Sequence, residues 1–211
     1  MISTTPPKVK PGATCLLLVS LKTLGRLAAM TASLSLFALS GLPGAGKSTV
    51  AAALAHDAAA VVVSVDPIED ALHRAGLTAS HETGLAAYLV AEVVARESLT
   101  LGHPVVVDAA NYVEEARRMW RDLAQECAAE LTWVEVVCSD EALHRQRLAA
   151  RDRGFDASLE PSWENVRARR ADTAPWSAAD QDILVRIDTA RPLDAQLGDL
   201  TERLVKNRTR W

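Results

Sequence analysis

The sequence predicts an α/β fold in which helices cover both faces of a parallel β-sheet. Three observations carry that expectation. Five short apolar runs alternate with stretches of helical period, the pattern of stacked βαβ units. The runs are nearly continuous in apolar residues rather than alternating with polar ones, as strands covered on both faces require. A chain of 211 residues at 49% hydrophobic content is long enough for one substantial core and too short for two comfortable ones.

Residues 1–29 stand apart from this body. They carry Lys8, Lys10, Lys22 and Arg26 and no acid, whereas the rest sets 19 basic against 27 acidic residues. The apolar stretches Cys15–Val19 and Leu27–Ala29 give the segment the look of a poor signal peptide, but Lys22 and Arg26 interrupt it. No run reaches the ~20 apolar residues of a spanning helix. The segment is expected to be disordered, or an extension upstream of a working start at Met30, with a weakly docked helix or a targeting role as the remaining readings. The acidic body speaks against a broad nucleic-acid footprint, although a local arginine patch stays open. Cys15, Cys127 and Cys138 show no metal or redox spacing, so a reducing, cytoplasmic setting without disulfide or zinc is expected.

The first strand is expected over Leu34–Leu39, and the strongest motif follows it. Gly41-Leu42-Pro43-Gly44-Ala45-Gly46-Lys47-Ser48 matches G-x-x-x-x-G-K-[ST] in full, with a helical pattern beginning at Thr49. The glycines let the loop turn its N–H groups inward, where they and the helix N-terminus form a nest for the β-phosphate of a nucleoside triphosphate. Lys47 is placed for the β- and γ-phosphates, and the Ser48 hydroxyl for Mg²⁺. Of 23 basic residues only five are lysines, and after residue 29 only Lys47 and Lys206 occur. A bare glycine-rich turn would need neither the lysine nor the hydroxyl.

The second strand is expected over Val61–Val65 and ends in Asp66, a candidate base toward an acceptor hydroxyl. Asp66, Pro67 and Glu69 also read as N-cap, N1 and N3 of a helix ending near Gly76, and both roles can coexist. The third strand, Val105–Val107, ends in Asp108, the expected Mg²⁺ carboxylate at the edge where open α/β sheets bind ligands. Asn111 is a further candidate for the substrate or the metal's water shell. Strands over Leu131–Cys138 and Ile183–Ile187 complete the sheet.

Between the strands, Leu85, Leu89 and Val93 mark a helix after Gly84. Val113, Ala116, Trp120, Leu123, Ala124 and Cys127 mark the buried face of another, with Glu114 and Arg118 paired outside. Arg145, Arg147, Arg151 and Arg153 precede Gly154, and Arg167, Arg169 and Arg170 follow a short loop. Arg147 and Arg151 share a helix face and lead into Gly-Phe-Asp-Ala-Ser, as in a lid that brings guanidinium groups onto a transferring phosphate. A solvated charged face is the other reading, and Arg145, four residues after Glu141, is the structural one. Trp163 and Trp176 lie near this lid in sequence.

GLPGAGKST, VVVSVDPIEDAL, VVVDAANY, CSDEALHRQRLAARDRG and PSWENV together resemble the small P-loop kinases and kinase-like ATP-binding proteins grouped with polynucleotide kinase, gluconate kinase and chloramphenicol phosphotransferase. The similarity runs from about Leu34 to Leu193. It implies a P-loop NTPase three-layer sandwich with strand order 2-3-1-4-5, and Mg-ATP on Gly41, Gly44, Ala45, Gly46, Lys47, Ser48 and Thr49. It also implies a lid around residues 151–170 and an adenine pocket at Asp188, Thr189 and Ala190. Polynucleotide kinases of this group tend to carry an arginine three residues after the residue matching Asp66. This chain has Glu69, which would repel an acceptor phosphate and makes VDPIEDAL more similar to the chloramphenicol-type pattern.

The expected activity is therefore transfer of the γ-phosphate of Mg-ATP to a hydroxyl of a small molecule. Asp66, Lys47, Arg147 and Arg151 are the catalytic candidates, and Ser48 and Asp108 the metal candidates. Polynucleotide 5′-hydroxyl phosphorylation and a non-kinase ATP-binding or ATPase module are the alternatives. Oligomeric state is open. Because the sheet can be completed from Leu34 onward, a chain started at Met30 should remain soluble and bind Mg-ATP as the full chain does. Loss of soluble protein on that truncation, read by fractionation and thermal melts, would make the first 29 residues structural.

Overall fold

A computed structural model describes residues 34–150, 161–198 and 200 of the chain. In chain order the elements are β1 (Ser35–Ser40), α1 (Lys47–Ala58), β2 (Val61–Ser64), α2 (Val65–Arg74), α3 (His81–Thr100), β3 (Val105–Asp108), α4 (Glu114–Glu126), β4 (Glu130–Val137), α5 (Glu141–Ala149), α6 (Trp163–Ala171), α7 (Ala178–Asp182) and β5 (Leu184–Asp188). The five strands pair in parallel in the order 2-3-1-4-5, so both the expected class and the expected order hold. Every expected strand is present with ends moved by at most one residue.

Burial follows the pleat. Phe37 and Leu39 of β1, Val106 of β3, and Val134 and Val136 of β4 face α1 through Val50, Ala51 and Leu54. Leu36, Ala38, Val105, Val107 and Trp133 point the other way, onto α3 and α4. All six residues of β1 are buried, as the central strand between two helical layers must be. The edge strands depart from the expectation of burial on both faces. Val61 and Val62 of β2 are 37% and 42% exposed, and β5 exposes Arg186, because each edge strand has a neighbour on one side only.

Helix phases are where pattern and structure part. In α3 the sheet-facing stripe is Thr83, Ala87, Ala91, Ala95 and Leu99, while Leu85, Leu89 and Val93 point outward and stand about half exposed. Both stripes repeat every four residues, so periodicity alone had no preference. Small alanines let the helix lie close to the sheet, and the Ser80 hydroxyl, accepting from the Thr83 N–H at 3.2 Å, starts the helix in that phase. In α4 Arg117 joins Trp120, Leu123 and Ala124 on the buried face, Val113 is exposed, and Glu114 bonds Arg121 rather than Arg118. Helix α2 begins at Val65 with Ser64 as its N-cap residue, so Asp66 lies inside the first turn and is not the cap.

The sheet's carboxyl edge is tied together at Asn111. This residue is fully buried and holds a left-handed backbone at φ 47°, a conformation asparagine tolerates better than most residues. Its Nδ2 donates to Leu39 O at 2.6 Å and its Oδ1 accepts from Trp120 Nε1 at 2.9 Å. Its carbonyl accepts from Arg117 Nε and Ser40 Oγ, and its N–H donates to Tyr88 Oη. The side chain is therefore committed to the fold, which corrects its expected reach toward substrate or metal water. Asn111→Ala should destabilise the protein by at least about 2 kcal/mol, since it orphans a buried carbonyl and a buried indole N–H in a strained backbone position. Chemical denaturation of wild type and variant measures this, and a loss under ~0.5 kcal/mol would contradict it.

Candidate functional site

The phosphate-binding loop is shaped by its neighbours before any ligand arrives. Gly41 leaves β1 against β4 so closely that a Cβ there would lie 2.3 Å from the Val136 carbonyl oxygen, which only glycine avoids. Its N–H donates to Ala110 O at 3.1 Å, rooting the loop on the segment after β3. Helix α1 then starts at Lys47, two residues before the expected Thr49, with Gly46 as its N-cap residue at φ 95°. Lys47, Ser48 and Thr49 precede the first intrahelical bond, Val50 N–H to Gly46 O at 3.2 Å, so the helix end offers donors and the positive end of its dipole. The Lys47 ammonium folds back over the loop, donating to Leu42 O at 3.3 Å.

A cavity of about 530 Å³ opens on this loop, lined by Gly44, Gly46, Lys47, Ser48 and Thr49 on one side and by Arg147, Thr189, Arg191 and Leu193 on the other. Seven of the expected nucleotide and arginine positions thus meet in one space. Gly41 and the buried Ala45 do not line it and open instead onto a neighbouring cavity with Tyr112 and Trp176. Thr189 does more than line the wall. Its hydroxyl lies 2.7 Å from Ala45 O and 3.2 Å from Val137 O, its two potential acceptors, so β5 carries part of the loop. Arg147 in turn donates from Nη1 to that hydroxyl at 2.8 Å and from Nη2 to Thr189 O at 3.1 Å. The expected lid arginine is thus a brace in the cavity wall. Asp188 is taken up by the Ser139 and Ala190 N–H groups, and its carboxyl is held below the usual range, chiefly by the bond from Ser139.

Asp108 ends β3, and Asp66 follows the end of the neighbouring β2 in the first turn of α2. Ser64, two residues before Asp66, pairs in register with Asp108. Asp108 is 8% exposed, and its carboxylate has no hydrogen-bond or ion-pair partner among the described residues. Tyr88 of α3 stands close by, with burial as the main cause pushing its phenol up to about 12 and the charge of Asp66 adding to it. Glu69 leans on α3 at Gly84 and reaches His73 at 4.0 Å. Arg151, Arg153 and the first half of the lid expected over residues 151–170 lie outside the described residues. Arg145 pairs with Glu141 at 3.2 Å as expected, and Arg169 stacks 5.8 Å from the Tyr112 ring.

Sequence reasoning missed three residues. Arg117 is fully buried, donates to Asn111, Ala174 and Pro175 carbonyls, and covers the Trp176 ring at 3.7 Å. Trp176 also packs against Trp133, ring centroids 5.3 Å apart. Asp180 is 1% exposed. Burial raises its carboxyl, but bonds from Ser177, Trp133 and Arg121 outweigh this and hold it low. His144 reaches the loop itself, with Nε2 2.8 Å from Pro43 O. A lone histidine or arginine in a charged helix carries no pattern that announces such burial.

Residues 36–175 match the AAA domain family. No curated protein matches the chain. Among solved structures, it resembles a candidate kinase of Chloroflexus aurantiacus at 18% identity and TM-score 0.65, covering 82% of this chain and 97% of that one. Kti12 of Chaetomium thermophilum, in complex with ADP-AlF3, aligns at 19% identity and TM-score 0.60 over 81% and 97%. The APS kinase of Mycobacterium tuberculosis, in complex with AMPPNP and APS, aligns at 21% identity and TM-score 0.58 over 82% and 98%. At these identities the likeness is one of fold, and the fold is that of the small P-loop kinases. With its phosphate-binding loop, five-stranded sheet and family match in agreement, the chain belongs to the AAA domain family and has a P-loop kinase-like, ATP-binding fold.

Proposed function

We propose that the protein is an ATP-dependent phosphotransferase that moves the γ-phosphate of Mg-ATP to a hydroxyl of a small molecule. The observation that supports this reading is a second carboxylate, Asp66 in the first turn of α2 just after β2, in addition to Asp108 at the end of the neighbouring β3 and a complete phosphate-binding loop. A module that only held nucleotide would need the loop and a metal carboxylate, but no second acid at that edge.

Magnesium fits the residues present. Among the described residues no three His, Cys, Asp or Glu side chains converge as a metal cage. Mg²⁺ needs none, because it keeps waters and takes one or two carboxylates together with phosphate oxygens. Ser48, exposed at the start of α1, and Asp108, nearly buried with its carboxylate unpartnered among the described residues, are the groups to hold it. When bound, the ion offsets phosphate charge.

The chain's own residues supply the rest. The loop amides and the α1 N-terminus hold the β-phosphate, and Lys47 exchanges its loop carbonyl for phosphate oxygens. Asp66 orients the acceptor hydroxyl and takes its proton as the new P–O bond forms and the bond to the bridging oxygen of ADP breaks. Arg147 holds the wall against Thr189, and Arg151 remains the lid candidate. Glu69, one turn beyond Asp66, opposes acceptors that carry phosphate there, which favours a small molecule over a nucleic-acid end.

Mg-ATP at ~100 times its dissociation constant should stabilise the wild type by roughly 2.7 kcal/mol. Thermal melts with and without Mg-ATP should show that shift in the wild type and its loss in Lys47→Ala. Equal shifts in both proteins, or none in either, remove Lys47 from the site.

Asp66→Asn separates folding from catalysis. It removes a favourable charge from the first turn of α2, a change of about 0.3–1 kcal/mol, and leaves Mg-ATP binding intact. Transfer to an acceptor found by an ADP-release screen should fall roughly 10²–10⁴-fold. Acceptor-independent hydrolysis of ATP should survive in this variant and collapse in Lys47→Ala. Undiminished transfer in Asp66→Asn would take the base away from this residue.

A further inference from the structure

His144 lies on α5, outside the phosphate-binding loop, yet touches it at two residues. Pro43 O can only accept, so the 2.8 Å contact requires that His144 Nε2 carry the hydrogen and donate it. One residue on, Gly44 adopts φ +80°, and a Cβ there would stand 3.2 Å from His144 Cδ2 and 3.1 Å from Leu148 Cβ. The ring is 1% exposed and is met edge-on by Trp163 of α6, centroid to centroid at 5.2 Å. Its second nitrogen, Nδ1, is buried with no hydrogen-bond partner among the described residues. A ring used only as core filling would not spend its one donor on a loop carbonyl while leaving the other nitrogen bare.

We propose that His144 is a positioning residue of the nucleotide site, holding the turn Pro43–Gly44 from α5 in the shape that phosphates require. The proposal rests on the nucleotide-binding reading above. With Thr189 near Ala45 O, the loop is then held at two carbonyls by side chains that are not part of its motif. Arg147, one turn along α5 from His144, links the two supports.

A consequence separates this role from inert packing. Burial holds the ring below the ordinary histidine value, the Pro43 carbonyl works against this, and the charges of Arg170 of α6, Lys47 of α1 and Arg147 of its own helix add to the effect of burial. The triphosphate brings negative charge to Lys47 and Arg147, so the bound state tolerates a protonated ring better than the free one. At pH 8 the ring is neutral in both states. The bound state thus opposes protonation of the ring less than the free state does, so on acidification the wild type gains affinity relative to a variant that cannot titrate.

The test uses the full chain with Mg-ATP as probe, titrated calorimetrically at pH 8 and pH 6 against wild type, His144→Gln, His144→Leu and Lys47→Ala. Glutamine places an amide N–H near the position of Nε2 and has no charge to gain. It should bind within about threefold of wild type at pH 8, whereas leucine should weaken binding about tenfold, the scale of one net hydrogen bond. At pH 6 the wild type should gain about threefold or more over the glutamine variant, and protonation of ATP itself cancels in that ratio. Leucine binding as tightly as wild type, or a wild-type to glutamine ratio equal at both pH values, overturns the proposal. If leucine does not fold, the glutamine ratio decides alone. If wild type and Lys47→Ala both fail to bind Mg-ATP, the nucleotide reading falls and this proposal with it.

Discussion

The structure depends on how the carboxyl ends of β1 and β3 are joined, and Asn111 is the joint. A parallel sheet leaves the outgoing chain at this edge with carbonyls and N–H groups that no ladder bond satisfies, and burying them unpaired would cost more than most single packing contacts return. Asn111 meets the Leu39 carbonyl from its side chain, takes bonds from Ser40 and Arg117 on its own carbonyl, and draws Trp120 and Tyr88 onto the same point. Gly41 beside it bonds Ala110. The phosphate-binding loop therefore springs from a root that α3, α4 and two strands hold in common. A shift in any of these would be felt at the loop.

From that root the loop is carried on two further sides. Thr189, at the end of β5, lies within hydrogen-bond distance of the Ala45 carbonyl, and His144, from α5, donates to that of Pro43. Arg147 fastens the first of these by two bonds. This arrangement turns the carbonyl oxygens of the loop outward, onto donors of the scaffold, which is the condition for turning its amides toward an anion. The buried Arg117 performs a similar service for residues 174–175, whose carbonyls it gathers under the Trp176 ring.

Charge is divided along the edge of the sheet. Lys47, Arg147 and Arg191 line the cavity over the loop, while Asp108 ends β3 and Asp66 lies in the first turn of α2, just after β2. On the proposed reading a triphosphate pairs with the first group and a cation or a hydroxyl proton with the second. Because β3 lies between β2 and β1, Asp108 falls between the loop and Asp66.

The elements whose signal is local were legible in the sequence. Continuous valine runs announced the strands, G-x-x-x-x-G-K-S announced the loop, and strand-ending acids announced Asp66 and Asp108, because each signal is complete within a few residues. The strand order came from resemblance, since no local pattern encodes which strands pair. Phase and partnership were decided only by tertiary structure. In α3 two stripes of equal period competed, and contact with the sheet selected the alanines because they allow the closer approach. Arg147 looked like a lid group until Thr189, 42 residues away, claimed its guanidinium, and Asn111 looked like a ligand group until Leu39 and Trp120 enclosed it. His144 and Arg117 carried no signal at all, because their roles consist of bonds to carbonyls that every residue possesses. The sequence determined which groups are present at the site, and only the folded chain, by bringing distant donors and acceptors into one buried space, decided which of them remain available for chemistry.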